Sequence, residues 1–206
     1  MVVIFLSLIG ATTNTFTLPN YYLCPMRKII LNLATTLDGF IEGANGELDW
    51  CILEEDMHFD KFLESVDTIF YGRVSYDLWG NYQSDAAASD MEKRFSSLIQ
   101  SMKKIVFSSQ SRADEKATFI STDVVAEVER IRNQPGKDIW LYGGAKLITT
   151  FIENGLVDEY MISVHPTVLG AGKPLFENAA RFDLQLTDTK VFKSGVVQLI
   201  YAPKTR

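Results

Sequence analysis

The residues with the most chemical promise stand where apolar runs give way to turns. Gly143-Gly144 lies between Leu141-Tyr142 and Ala145, at a strand-to-helix junction. Two residues without Cβ let backbone N–H groups and a helix N-terminus come close to an anionic group. The pair therefore reads either as a phosphate cradle or as a plain tight turn. Gly72-Arg73-Val74-Ser75 forms a similar junction after Thr68–Tyr71, with a guanidinium beside it, and Ser108-Ser109-Gln110 ends another apolar run. Arg73 is a surface arginine or a phosphate ligand, and the serines are helix caps or ligands. Tyr142 and Lys146 imitate a Y-x-x-x-K dyad, but that geometry needs one helix and the glycines intervene. The G-x-G-x-x-G and Walker patterns are both absent.

Asp56 precedes Phe59, Phe62, Leu63 and Val66, whose spacing predicts a helix with Asp56 at its start, bordering the buried face. Its carboxylate is either a partner for the helix N-terminal dipole or a partly desolvated acid of raised pKa facing a ligand. His58 flanks the same stripe and reads as a surface or supporting residue. From Thr35 to Trp50 the chain carries Asp38, Ile41 and several glycines. A loop that long within a compact domain is either a lid over a ligand or an excursion with Trp50 filling the core.

These residues need a scaffold that brings them to one place. Ile29–Ala34 is a nearly continuous apolar run, the pattern of a strand covered on both faces. Runs at Thr68–Tyr71, Lys104–Phe107, Ala117–Ile120 and Ile139–Tyr142 repeat it. Helical periods separate them, carried by Phe59–Val66, Met91–Met102, Val124–Ile131 and Leu147–Ile152. Ser89 and Glu92 have capping-box spacing, and Asn133-Gln134-Pro135-Gly136 and Asn154-Gly155 are stops. Strand alternating with helix predicts an α/β domain: a mainly parallel mixed sheet with helices on both faces. In such a sheet the strand C-termini share one edge, so the Gly72, Ser108 and Gly143 loops converge over a common crevice. The close of the chain differs, with Leu184–Phe192, Lys193-Ser194-Gly195 and Val196–Tyr201 reading as a C-terminal antiparallel hairpin.

Composition limits what the site can hold. The 206 residues are 47% hydrophobic and 22% charged, which describes a folded globular chain. The 26 acidic and 20 basic residues give a net charge of -6, which argues against nucleic acid, so any anion must be held locally. Cys24 and Cys51 fit no metal spacing and suit a reducing, cytoplasmic compartment, and with only two histidines no metal site is expected. Residues 1–26 contain no Lys or Arg, unlike a secretory signal, and no stretch is long enough to span a membrane. They read as an N-terminal extension, with Met26 a plausible alternative start and residues 27–206 a single domain.

In order along the chain, Thr36-Leu37-Asp38-Gly39-Phe40-Ile41, Asp67–Tyr76, Ile105–Gln110, Leu141–Ala145 and Asp158–Phe176 resemble the dihydrofolate reductase superfamily. The nearest resemblance is to its riboflavin-biosynthesis reductase branch, the C-terminal domain of a bifunctional deaminase/reductase. The resemblance covers residues 28 to about 202 and implies a dihydrofolate reductase-like fold, an oxidoreductase and NADPH as cofactor. It carries cofactor contact to Thr35, Gly72, Arg73, Val74, Ser75, Ser108, Ser109, Tyr142, Gly143, Gly144 and Ala145. Arg73 and Ser108 would receive the 2′-phosphate. It carries substrate or loop roles to Asp38, Ile41, Trp50 and Phe59, and a catalytic carboxylate to Asp56. The substrate implied is a small heterocycle, pentose-linked pyrimidine or pterin-like molecule reduced at C=N or C=O, and a homodimer is implied. True folate reductases hold the substrate's tail with a helix arginine, for which only Arg94 stands between Asp77 and Lys103. The rival reading is a nucleotide-binding protein that keeps the fold without catalysis.

Overall fold

Parallel strands with apolar side chains on both faces need a helical layer above and below, and this chain supplies both. The computed structural model describes residues 26–204, so the extension over residues 1–26 lies, Met26 apart, outside the described residues. The main sheet contains β1 (Ile29–Thr36), β3 (Val66–Gly72), β4 (Lys103–Phe107), β5 (Ala117–Ile120), β6 (Asp138–Gly143), β7 (Glu159–His165), β9 (Leu184–Val191) and β10 (Val197–Pro203). Its spatial order is β5-β4-β3-β6-β1-β7-β10-β9. The first six of these pair in parallel. β10 returns antiparallel beside β7, with β9 outside it as the expected hairpin.

Period-two alternation splits the core into two layers. Ile29, Leu31, Phe70, Ile105 and Leu141 face α4 (Val124–Arg132) and α5 (Ala145–Glu153). Ile30, Ile69, Tyr71, Val106 and Trp140 face α1 (Phe59–Ser65) and α3 (Asp90–Ser101), and the one-turn α2 (Arg73–Ser75) directly follows β3. Each buried Ile, Leu or Phe contributes about 1.5–3 kcal/mol. The helix ends follow their sequence signals. Ser89 and Glu92 close a capping box on α3, and the Asp123 carboxylate accepts from the Ala126 amide of α4 at 3.1 Å.

Three expectations need correction. Val66 opens β3 instead of closing α1, because it is a buried β-branched residue in register with Asp138 of β6. The stretch from Thr35 to Trp50 is not one loop: Phe40–Gly43 forms β2, antiparallel to β8 (Gly172–Pro174). Gly39, at φ 86°, makes the reversal that a Cβ would oppose. Asp56 does not start α1. It sits exposed on a separate 3-10 turn, Glu55–Met57, and His58 at φ 50° breaks the chain direction before Phe59.

Candidate functional site

At the C-terminal edge of the parallel strands, the loop after β3 meets the loop after β6. A Cβ on Gly72 would stand 3.3 Å from the Gly144 nitrogen, and one on Gly144 would stand 3.0 Å from Ser75 Oγ. Side chains there would fill the groove between two chain reversals, so the glycines keep backbone N–H groups within reach of a ligand. Gly143 has φ 108°, a conformation open in practice only to glycine, and the Gly143–Gly144 peptide is cis. Gly144 caps α5 without a side chain, its carbonyl taking the Leu147 and Ile148 amides, so the first amides of the helix remain free.

Over this edge lies a cavity of about 630 Å³, within the range of cofactor sites. It is lined by Gly72, Arg73, Val74, Ser75, Ser108, Ser109, Gly144 and Ala145, all singled out in the sequence. Thr122, Lys146, Thr150, Lys173 and Glu177 also line it and were missed. Thr122 had a readable signal, since it follows β5 and so had to reach the same edge. Thr35, Tyr142 and Gly143 do not line it. Thr35 is buried and donates to the Phe40 carbonyl at 3.1 Å, holding the turn into β2. Tyr142 faces the opposite layer, packed between Tyr71 and Trp140, where burial pushes its hydroxyl pKa up.

Arg73 is half exposed and donates to Asp77 at 2.9 Å, one turn later. Asp77 also accepts from Arg112 at 2.7 Å, the main cause holding its carboxyl below the usual range. The Arg112 guanidinium stacks 4.4 Å from the Phe119 ring centroid. Asp77 thus has two guanidinium partners, Arg73 and Arg112.

The sheet itself has an opening here. β1 pairs with β6 only from Ile29 to Leu31; farther along, β1 continues to Thr36 beside β7 alone. The Asn32 carbonyl, beyond that short ladder, accepts from Trp140 Nε1 at 2.9 Å.

The remaining substrate and loop residues do not meet at one point. The Asp38 carboxylate accepts from Thr36 Oγ1 at 2.6 Å and from the Gly170 amide at 2.7 Å, tying the β1–β2 turn to the β7–β8 loop. The Thr36 bond leads in holding its pKa down. Ile41 packs on the α5-side core. Trp50 is buried edge-on to His165 at 5.3 Å, and His165 Nδ1 accepts from the Ile52 amide at 3.2 Å. His165 carries no sequence signal, and it ends β7. Phe59 packs edge-to-face against Phe95 and Trp140 and lines a second cavity, of about 430 Å³, between α1 and the sheet. Asp56 lines neither cavity.

Among the described residues no helix is long and apolar enough to cross a membrane, and no group of His, Cys, Asp and Glu is arranged to hold a metal ion. The chain is 55% identical over 177 residues to the uncharacterized protein YyaP of Bacillus subtilis, covering 85% of this chain and 94% of YyaP. A Shewanella sp. PV-4 structure assigned provisionally to riboflavin biosynthesis superposes with TM-score 0.71 at 23% identity, over 86% of this chain and 99% of the other. The dihydrofolate reductase of Enterococcus faecalis, solved with NADP(H), superposes with TM-score 0.59 at 17% identity, over 86% and 97% of the two chains. Those likenesses show a dihydrofolate reductase-like fold. A family profile described as the RibD C-terminal domain matches residues 27–198, and with that match over most of the described structure, the chain belongs to the RibD C-terminal domain family.

Proposed function

We propose that this protein is an NADPH-dependent reductase whose cofactor lies in the cavity at the C-terminal sheet edge. The observation that carries the reading is the meeting of two glycine turns, free helix-start amides and Arg73 around one cavity of dinucleotide size. Bound there, NADPH supplies a hydride to a C=N or C=O carbon of a small heterocyclic substrate. The chain's own part is to orient and exclude water. The Gly72 and Gly144 turns receive the pyrophosphate on backbone amides. Arg73 and Ser108 take the 2′-phosphate, with Asp77 retained by Arg112. Trp50 and His165 hold the stem of residues 44–53 against β7. A dihydrofolate reductase solved with NADP(H) among the structural neighbours supports this placement.

Asp56 has no part in this reading, since it is exposed and lines neither cavity. We also propose a homodimer that joins through the terminal hairpin, whose outer strand β9 exposes Leu186 and Val191.

Fluorescence titration of NADPH and NADH against the native protein and Arg73→Ala tests the cofactor assignment. The expected result is a loss of about tenfold for NADPH, about 1.4 kcal/mol, and little change for NADH. Equal losses for both overturn the 2′-phosphate role, and no NADPH binding to the native protein overturns the function.

A further inference from the structure

Arg73 is the only arginine on the wall of the larger cavity among the described residues, and a carboxylate already holds it. Asp77 accepts from Arg73 Nη1 through Oδ2 at 2.9 Å and from Arg112 Nη1 through Oδ1 at 2.7 Å. Asp77 and Arg112 line neither cavity. What they do for a ligand they do through Arg73.

The two guanidiniums are anchored unequally. Arg112 also donates through Nη2 to Asp114 at 3.0 Å and lies over the Phe119 ring, 4.4 Å from its centroid. Asp114 is itself fixed, accepting from the hydroxyl of the fully buried Tyr76 at 2.9 Å and from the Lys116 amide at 2.9 Å. Arg73 is half exposed, and Asp77 is its one side-chain partner among the described residues. Arg112 is therefore a fixed charge and Arg73 a movable one, and they divide one carboxylate between them. Two guanidiniums against two carboxylates leave the group neutral. Removing the Arg112 charge would leave one carboxylate in excess, with Arg73 as the only cation beside Asp77. Drawing Arg73 away is easier while Asp77 keeps a charged donor, and an approaching phosphate is repelled less by a neutralised carboxylate.

We propose that Arg112 is a positioning residue that sets the preference for a 2′-phosphate by occupying Asp77, which leaves Arg73 available to the anion. Without Arg112, Asp77 competes with the phosphate for Arg73. The effect is confined to a nucleotide that carries the phosphate, because a free 2′-hydroxyl makes no demand on the Arg73 charge. The proposal deepens the cofactor reading and rests on it for the identity of the anion.

Two substitutions separate the charges. Arg112→Met keeps an unbranched stem over Phe119 without the cation, and Asp77→Asn removes the competing carboxylate. The test titrates NADPH and NADH by fluorescence into the full-length native protein, each variant and the double variant. It also follows phenylglyoxal modification of Arg73 by peptide mapping in the absence of nucleotide. Arg112→Met is expected to bind NADPH about fivefold more weakly, the scale of a half-exposed ion pair, with NADH affinity and thermal midpoint preserved. Its Arg73 should react about threefold more slowly. Adding Asp77→Asn should return NADPH affinity to the native value or above, which a merely structural role for Arg112 would not allow. Equal losses for the two nucleotides, or a loss that Asp77→Asn does not relieve, overturn the proposal. If Arg112→Met does not fold, Asp77→Asn alone decides: NADPH affinity should rise relative to NADH, and no rise overturns the proposal. Slowed Arg73 modification in a protein that does not bind NADPH supports the positioning role and removes the reductase reading. Unchanged modification overturns the positioning role whichever nucleotide binds.

Discussion

The two ends of the parallel sheet are built on opposite principles. At the N-terminal ends of the strands, charge is matched and buried. Arg27, 5% exposed, pairs with Asp67, and Arg132, 6% exposed, donates to both oxygens of Asp158 at 2.9 and 2.8 Å. Asp158 also accepts from the Ile29 amide at 2.8 Å, and Asp67 from the Lys137 amide at 2.8 Å, so carboxylates tie strand starts together. At the C-terminal ends, glycines replace side chains, helix-start amides stay free, and the half-exposed Arg73 shares its partner Asp77 with Arg112. One end closes its charged donors within the protein, the buried Arg132 Nε excepted, and the other leaves backbone amides open. Where donors are satisfied internally, a substitution costs stability; where they are left open, it costs binding.

The largest expected effect falls on the closed end. Asp158→Ala strands the buried Arg132 guanidinium and should destabilise by about 3 kcal/mol in denaturant unfolding, while NADPH affinity of the folded protein stays unchanged. A change in affinity without a change in stability would erase the contrast. Next is Gly144→Ala at the open end. Its Cβ meets Ser75 Oγ at 3.0 Å and enters the cradle, at a φ of -83° that alanine tolerates. NADPH should bind about tenfold more weakly, with the unfolding midpoint nearly unmoved.

A smaller effect concerns pH. Burial holds His165 below its ordinary pKa of 6.5, so the folded protein disfavours the protonated ring and the Ile52 amide needs Nδ1 bare. The stability tied to neutral His165 is therefore complete above about pH 6.5 and is lost as pH falls toward the lower folded value. His165→Asn should flatten that part of the stability profile, and an unchanged slope would exclude the residue. The smallest effect sharpens the contrast from within the closed end. Lys28 is 58% exposed, and Lys28→Ala, which loses only the pair with Glu159, should cost less than about 1 kcal/mol.

The chain's alternation of strand and helix was readable because each parallel strand is apolar on both faces, and the glycine turns because few other residues tolerate those positions. From there the C-terminal edge followed by topology, which is why eight residues named in the sequence line one cavity. Other features had no local signature. The β2–β8 pair joins segments more than a hundred residues apart, and Phe40–Gly43 alone looks like loop. The spacing of Asp56 suits the α1 stripe, whereas the left-handed His58 that detaches it leaves no mark on periodicity. Asn32 was hidden inside Ile29–Ala34, where one polar residue in an apolar run does not reveal that its strand leaves its neighbour at that point.

The central claim is that the open end of the sheet, and not the closed one, receives the dinucleotide. Amide hydrogen exchange with and without saturating NADPH tests it most directly. The account predicts slowed exchange at Gly72–Ser75, Ser108–Ser109 and Gly144–Leu147, and no change at Arg27–Ile29 or around Arg132 and Asp158. Protection confined to the N-terminal ends of the strands, or absent from the glycine turns, would contradict it.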